Sequence, residues 1–264
     1  MRIDRSADWA NPIPPVRREV LSATPEVDEG RPPLLFVPGF GHGAWLFAEH
    51  WLEHAAGRGF PAHAVSLRGH GGSGNAPGAG LRAYAHDVVQ AAASLPRQAV
   101  LIGHGAGALV VAHALARYAA RAAVLVSPVL GGWETLGVAL RRNPAGTIPA
   151  LAGAPLRISR RQLFGRELPE DQARAYASRV RHASRRAQYQ LITHRAPEPP
   201  VGAPPVLVIG SQHDRIVSPS ALTKAARRFG GAPLLFPGMG HDLMLDTRWR
   251  EPIDAILDWL EKKN

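Results

Sequence analysis

Two residues able to share acid–base chemistry follow apolar runs in the last quarter of the chain. Asp214 stands in Gly-Ser-Gln-His-Asp, just beyond the run Pro205–Gly210, and His241 stands in Gly-Met-Gly-His-Asp, just after the run Ala232–Phe236. A carboxylate beside an imidazole holds the ring in one tautomer and stabilises its protonated form. We therefore predict that Asp214 and His241 form a pair in which His241 transfers protons.

Other acids and histidines compete for these roles. Asp242 and Asp246 lie in the same segment as His241, so we predict that they cap a helix or are exposed. A single aspartate after a strand usually caps a turn, and a single loop histidine usually lies at the surface. We interpret His104 as a packing residue and assign the following histidines to loops: His42, His70 and His213.

A glycine-rich turn follows another apolar run. Gly103, Gly105 and Gly107 fit the pattern G-x-S-x-G, a strand-to-helix turn that presents a catalytic serine, except that the central residue is Gly105. In subtilisin, loss of the serine lowers turnover by about 10⁶-fold and leaves roughly 10³–10⁴-fold catalysis over water. Glycine adopts the strained turn without the cost of ~1–3 kcal/mol that a side chain incurs. We predict that the turn is kept and the nucleophile is missing; Ser73 and Ser127 do not lie at the turn.

Two main-chain N–H groups are predicted to stabilise an oxyanion. Ala106 directly follows Gly105, and Phe40 stands in the Pro-Gly-Phe-Gly loop after the apolar run Pro33–Pro38. Backbone donors do not depend on the missing side chain, so we expect both to remain.

Strands and helices alternate along most of the chain, which predicts an α/β fold with a mostly parallel, doubly wound sheet. The predicted strands are Val16–Ala23, Pro33–Pro38, Ala62–Leu67, Ala99–Ile102, Ala122–Ser127, Pro205–Gly210 and Ala232–Phe236. The predicted helices are Trp45–Gly57, Leu81–Leu95, Ala106–Tyr118 and a C-terminal helix with Ile253, Ile256, Leu257 and Leu260 on one face.

The alternation stops between the fifth and sixth of these strands. Residues 131–196 have helical candidates at Trp133–Arg142, Pro169–Arg179 and Ser184–Thr193. We predict a core formed by residues 1–130 and 197–264, and a helical cap formed by 131–196. A mainly apolar pocket for a lipophilic acyl substrate is expected to be bordered by Trp133, Phe164, Leu243 and Met244.

The charge of the chain is concentrated in the predicted cap. The net charge is +10, and residues 131–196 carry twelve arginines against four acids, a net charge of +8. The favoured interpretation is a solvated arginine-rich face; the alternative is an electropositive rim that attracts an anionic substrate or an acidic carrier protein. No nucleic-acid motif accompanies the charge, which argues against a nucleic-acid partner.

The chain has no cysteine, which excludes disulfides and thiolate chemistry. Charges and prolines interrupt the first thirty residues, and no apolar run is long enough to cross a bilayer, so we expect neither a secretory signal nor a membrane span. A cytoplasmic location is the expectation.

Two segments also match a dinucleotide-binding fingerprint. Residues 39–44 and 103–108 each read G-x-G-x-x-A. The next strand, however, ends in Ser66-Leu67-Arg68, with no acid to bind a ribose, and this interpretation leaves Asp214 and His241 without a role. It remains an alternative.

Taken together, the motifs resemble the lipase/esterase branch of the α/β-hydrolase superfamily over about residues 17–263. The resemblance is carried by Pro-Gly-Phe-Gly-His-Gly-Ala-Trp (38–45), Ser-Leu-Arg-Gly-His-Gly-Gly-Ser-Gly (66–74), Gly-His-Gly-Ala-Gly (103–107), and the segments that contain Asp214 and His241. It implies hydrolysis of esters, thioesters or related acyl bonds without a metal or cofactor, and the order nucleophile, acid, base for positions 105, 214 and 241. Pro38 replaces a histidine common in that loop, and Gly105 replaces the serine.

Three functions follow from this pattern. The first is an acyl hydrolase whose serine has been replaced, so that serine-based hydrolysis is impaired or lost. The second is an enzyme that uses the His241–Asp214 dyad without a nucleophile, as a lyase, cyclase or cofactor-free oxygenase does. The third is a ligand-binding protein without catalysis.

Overall fold

The computed structural model describes residues 12–263, which fold around a seven-stranded sheet. The strands are β1 (Val20–Ala23), β2 (Leu34–Val37), β3 (Ala62–Val65), β4 (Val100–His104), β5 (Ala122–Val126), β6 (Val206–Gly210) and β7 (Leu234–Leu235). Their order across the sheet is β1-β3-β2-β4-β5-β6-β7; β1 is antiparallel to β3, and every other neighbouring pair is parallel. The predicted fold class is therefore confirmed.

The central strands are apolar on both faces because both faces are covered by helices. In β2, Leu34 and Phe36 belong to one buried cluster, whereas Leu35 and Val37 belong to another on the opposite face. This explains why these strands appear in the sequence as continuous apolar runs rather than as alternating patterns.

Eleven α-helices lie within residues 12–263. They are α1 (Trp45–Ala48), α2 (Trp51–Gly57), α3 (Leu81–Ala93), α4 (Ala106–Leu115), α5 (Gly132–Arg142), α6 (Pro144–Leu151), α7 (Arg160–Leu163), α8 (Glu170–Arg179), α9 (Arg185–Thr193), α10 (Pro219–Arg228) and α11 (Arg250–Glu261). Buried residues of α1, α2 and α11 pack on one face of the sheet, and those of α3, α4 and α10 pack on the other.

Helices α5–α9 form one continuous insertion between β5 and β6, which we call the helical insertion (residues 131–196). Three of its helices match the predicted ones within two residues at each end, while α6 and α7 were not predicted. The insertion is far less buried than the core, since α5 has no buried residue and α9 has only Ala187. The division into a core and a cap stays a prediction, and its outer bounds include residues 1–11 and 264, which lie outside the described part of the chain.

The sheet order brings two glycine-containing loops together. Strands β2 and β4 are neighbours, with Val37 opposite Gly103 in register, although β3 separates them along the chain. In open parallel sheets, ligand sites lie beyond the carboxyl ends of the strands where the strand order reverses. The loop after β2 and the turn after β4 meet at this point.

Candidate active site

Gly105 lies at the sharp turn between β4 and α4. Its backbone has φ +54° and ψ −125°, in a region where a side chain is strained. The Gly105 N–H donates to the Val126 carbonyl at 3.0 Å, and the Gly105 carbonyl accepts from Val129 N–H at 2.9 Å. Gly107 permits the close approach of α4 to β2, because a Cβ there would lie 2.5 Å from the Val37 carbonyl oxygen. The turn between β4 and α4 is therefore sharp and closely packed, with a central backbone conformation that favours glycine.

Asp214 and His241 are hydrogen-bonded. His241 Nδ1 lies 2.8 Å from Asp214 Oδ2, and the two residues are only 4% and 2% exposed, respectively. The other oxygen of Asp214 accepts from the backbone N–H groups of Ile216 at 2.7 Å and Val217 at 3.0 Å. These bonds fix the carboxylate, so that it orients the imidazole.

The second ring nitrogen of His241 faces the turn. A Cβ built on Gly105 would lie 3.1 Å from His241 Nε2. Burial on its own would lower the pKa of His241, but the Asp214 carboxylate, which also accepts its hydrogen bond, and the Asp242 carboxylate raise it. The structure thus brings together positions 105, 214 and 241, with a basic nitrogen directed at the place where a serine side chain would begin.

The proposed oxyanion donors flank the same space. Gly39, next to Phe40, contacts the turn: a Cβ on Gly39 would lie 3.7 Å from Ala106 N. Neither Phe40 N–H nor Ala106 N–H donates to a backbone acceptor of residues 12–263. The Phe40 ring instead packs edge-on against Tyr84, with 5.4 Å between ring centroids. Both amides are therefore available, and their role as an oxyanion hole stays a prediction.

The two other hydroxyls considered, those of Ser73 and Ser127, lie outside the Gly105 turn. Ser73 donates to the Ser66 carbonyl at 2.6 Å and accepts from Glu19 N–H at 2.9 Å, on the loop after β3, so it is occupied by structural hydrogen bonds. Ser127, which follows β5, has no exposed surface, and its Oγ has no hydrogen-bond partner within residues 12–263.

Asp242 stands at the N-cap position of the 3₁₀ helix Leu243–Leu245, but its side chain makes no capping hydrogen bond and is buried, which corrects the expectation of an exposed side chain. It is 1% exposed, and its Oδ2 lies 3.2 Å from His42 Nε2. Its Oδ1 lies 3.3 Å from His104 Nε2, and the rings of His104 and His241 are 4.8 Å apart. We call these four residues (His42, His104, His241 and Asp242) the His–Asp cluster.

The cluster holds a buried negative charge among imidazoles. Burial opposes ionisation of Asp242, but His42, which also donates a hydrogen bond, and then His104 and His241 together lower its pKa. Burial, followed by the neighbouring His241, lowers the pKa of His104 to about 3, so this ring is neutral near pH 7. Sequence reasoning missed the cluster because His42 and Asp242 are 200 positions apart.

The residues expected to border a pocket differ widely in exposure. Trp133 is 75% exposed on the helical insertion, whereas Phe164 is 8% exposed and belongs to the core cluster of α1, α2 and α11. Leu243 and Met244 have no exposed surface and belong to the same cluster. In this structure, therefore, Leu243 and Met244 border no open cavity.

The helical insertion is hydrogen-bonded to three of the loops that carry the pair or the proposed donors, those after β2, β6 and β7. Arg181 N–H donates to the Gly41 carbonyl at 2.7 Å, after β2. The Arg142 side chain donates to the Asp214 carbonyl at 2.8 Å, after β6. Asp242 N–H, after β7, donates to the Leu163 carbonyl at 2.9 Å. The insertion therefore contacts the site directly through these hydrogen bonds.

A cationic groove of about 540 Å³ lies between α3, α4 and α9. No acidic residue is among those that line it, which are Leu81, Arg82, Ala85, His113, Arg117, Arg186, Tyr189, Gln190, Thr193, His194 and Arg195. Burial, followed by the charges of His194, Arg117 and Arg228, lowers the pKa of His113 to about 4, and nearby Glu198 opposes this shift. The groove is thus electropositive beside the insertion.

A model of the alpha/beta hydrolase family matches residues 34–258, and the chain belongs to that family. No curated protein matches the chain in sequence.

Solved structures share the fold at low sequence identity. An esterase from Thermogutta terrifontis is 19% identical with a TM-score of 0.71, and the match covers 94% of each chain. A monoacylglycerol lipase from Paleococcus ferrophilus is 20% identical with a TM-score of 0.69, covering 95% of this chain and 100% of that one. A Mycobacterium tuberculosis H37Rv protein provisionally described as a non-heme bromoperoxidase is 18% identical with a TM-score of 0.73, covering 96% and 97%. At these identities the likeness shows the fold alone.

Along residues 12–263, no helix combines the length and apolarity that crossing a bilayer requires.

Proposed function

We propose that this chain has an acyl-hydrolase-type site for esters or thioesters in which Gly105 stands where the catalytic serine would be. One observation carries the proposal: a Cβ on Gly105 would lie 3.1 Å from His241 Nε2, while His241 Nδ1 is bonded to Asp214. A base, an orienting carboxylate and a sharp turn together suit a serine nucleophile, with a shift of a few tenths of an ångström in His241 to admit the serine Cβ. Only the hydroxymethyl group differs.

Without the serine, the dyad can act on water. A water molecule between His241 Nε2 and the substrate carbonyl would give its proton to the imidazole as its oxygen attacks the carbonyl carbon. The Phe40 and Ala106 N–H groups would stabilise the oxyanion, and His241 would return the proton to the leaving group. Such a reaction forms no acyl-enzyme, and we expect it to be slow because about 10⁶-fold in turnover is lost with the serine.

The helical insertion supports a proposal on substrate class. Its contacts with the loops after β2, β6 and β7 suit a cap over the site, and its apolar residues suit a lipophilic acyl group. The cationic groove of α3, α4 and α9 suits an anionic group on the substrate or on an acidic carrier. A cytoplasmic location is part of the same proposal.

Restoring the nucleophile tests the function. Gly105→Ser should gain covalent labelling by an alkyl fluorophosphonate and hydrolysis of a short aryl ester, both measured against the unmodified protein. Gly105→Ala is the matched control, because it adds the Cβ without the hydroxyl, and Gly105→Ser with His241→Gln removes the base.

The two readouts separate the possible results. Labelling of the serine variant that is lost with His241→Gln supports the proposal, and mass spectrometry of proteolytic peptides places the adduct at residue 105. A folded Gly105→Ser variant that reacts no faster than Gly105→Ala would overturn it.

A further inference from the structure

The His–Asp cluster concentrates buried polar atoms without hydrogen bonds. His42 Nδ1, both ring nitrogens of His104 and Asp242 Oδ1 have no hydrogen-bond partner within residues 12–263. Buried polar groups are normally satisfied, and a group that is not requires an explanation such as a function or a bound ion. Two of these atoms, His104 Nε2 and Asp242 Oδ1, face each other at 3.3 Å, an arrangement that a shared ligand would satisfy.

The donor set and the spacing of its closest pair fit a metal ion. His104, His241 and Asp242 each offer one ligand atom, and these three atoms lie within 4.8 Å of one another. The 3.3 Å between His104 Nε2 and Asp242 Oδ1 matches two ligands on one ion, because Zn²⁺ bonds of about 2.0–2.2 Å in tetrahedral geometry separate the ligands by about 3.3 Å. The other ligand atoms, up to 4.8 Å apart, would have to draw closer on binding, since two bonds of about 2.2 Å span at most about 4.4 Å. Two imidazoles and a carboxylate are a common set for Zn²⁺ and other divalent transition metals.

The surrounding residues orient the ligands as metal sites require. His241 Nδ1 is engaged by Asp214 at 2.8 Å, which leaves Nε2 to bind. A metal-binding histidine usually donates its other ring N–H to a carboxylate in this way. His42 holds the second oxygen of Asp242 at 3.2 Å, which fixes the direction of the first.

Glycine at position 105 leaves the third ligand accessible. A Cβ there would lie 3.1 Å from His241 Nε2 and would obstruct that nitrogen. We propose that His104, His241 and Asp242 bind a divalent transition-metal ion, with Zn²⁺ as the best fit, on the side of the Gly105 turn that faces His241. This goes beyond the proposed function and departs from the cofactor-free expectation. Since the metal and a proton would compete for His241 Nε2, metal binding would block the water-activating role of the dyad.

Direct binding measurements test the site without an activity assay. The EDTA-treated protein is titrated with Co²⁺, whose visible absorption reports four-coordinate ligation, and with Zn²⁺ by calorimetry. We expect one ion per chain and an increase of Tm with Zn²⁺ concentration, because the ion binds the folded state. Absence of stoichiometric binding by this protein overturns the proposal, whether or not any variant folds.

Variants locate the ion. Asp242→Asn and His104→Asn should each weaken Zn²⁺ binding by at least about 100-fold, and Asp214→Asn, which removes only the orienting carboxylate, by about 10–100-fold. Gly105→Ser should also weaken binding. The matched control is His70→Asn, a buried histidine outside the cluster, which should bind as the unmodified protein does.

The outcomes are distinct from those of the ester experiment. Binding that survives Asp242→Asn and His104→Asn in folded proteins would place the ion elsewhere and contradict the proposal. Failure of the fluorophosphonate test with cluster-dependent metal binding would reject the acyl-hydrolase proposal alone.

Discussion

Asp87 and Asp242 are carboxylates buried to almost the same degree, but their surroundings differ. Asp87, on α3, accepts from Arg68 Nη2 at 2.6 Å, Arg68 Nε at 2.8 Å and the Arg68 backbone N–H at 3.3 Å. Asp242 has one hydrogen bond, to His42 at 3.2 Å, and its Oδ1 has none within residues 12–263. The exposed fractions are 0% and 1%.

The difference separates a charge with a complete structural partner from one that the proposed metal site would use. The Arg68–Asp87 pair satisfies both oxygens of its carboxylate and has no part in the site. The Asp242 carboxylate lies against His104 and His241 and is left partly unsatisfied, a condition that proteins tend to retain where a ligand or a reaction uses it. The stability of variants at the two positions should therefore differ.

The largest effect is expected at Asp87. Asp87→Asn leaves the Arg68 guanidinium buried without its counterion, which should cost about 3–5 kcal/mol in the free energy of unfolding, measured by urea denaturation. A double variant, Arg68→Met with Asp87→Leu, should recover most of the loss because neither charge remains. A loss of less than 1 kcal/mol for the single variant would show that the pair is not structural.

Asp242→Asn should cost less, about 1.5–3 kcal/mol, because it removes one charged hydrogen bond. The same urea denaturation measures it in EDTA, so that no metal contributes. Equal destabilisation by Asp242→Asn and Asp87→Asn would show that the two carboxylates do not differ in their contribution to stability.

Gly105→Ala measures how strongly the backbone conformation of the site disfavours a side chain. At φ +54° the alanine side chain is strained, so we expect a loss of about 1–3 kcal/mol in the free energy of unfolding. Gly57→Ala is the matched control, since Gly57 ends helix α2 with open space around its Cα and alanine there should stabilise by about 0.4–1 kcal/mol. Equal changes in unfolding free energy for the two variants would mean that the turn does not strain a side chain at position 105.

The smallest effect on stability is expected from His113, which lies in the cationic groove. Its Nε2 also has no hydrogen-bond partner within residues 12–263. Its folded pKa of about 4 lies below the unfolded value of 6.5, so the unfolded state takes up a proton first as the pH falls. Stability should therefore decrease from about pH 6.5 to pH 4. His113→Asn should reduce the difference in unfolding free energy between pH 7 and pH 5, whereas the exposed His182→Asn should not. An unchanged difference in His113→Asn would contradict the assignment.

Local sequence patterns predicted most of the core. Apolar runs predicted the six strands β2–β7, because parallel strands covered by helices contain little else, and the antiparallel edge strand β1 lies within the predicted segment Val16–Ala23. Helix α10 was missed although Ser218 caps it, accepting from Ala221 N–H, and Pro219 begins it; these signals were present in the sequence. The predicted helix Trp45–Gly57 is instead two helices, since His50 leaves helical geometry with φ −144°.

Long-range contacts account for what the sequence did not predict. Asp214, His241 and Gly105 could be related because each follows a strand, and the ends of parallel strands meet at one edge. Asp242 could not be assigned in this way, since it contacts His42 from the loop after β2 and His104 from the end of β4. In the insertion, α6 contains Pro149 and α7 has only four residues, so neither gives a clear periodic pattern.

Three hydrogen bonds join the helical insertion to Gly41, Asp214 and Asp242, and they limit which other helical segments could replace it. A helical segment grafted from a related protein would have to supply equivalents of Arg181 N–H, the Arg142 guanidinium and the Leu163 carbonyl. Without them, the graft would leave these three loops of the site unsupported at the same time. Under the proposed function, a change in this segment would therefore alter the geometry of the site together with its specificity.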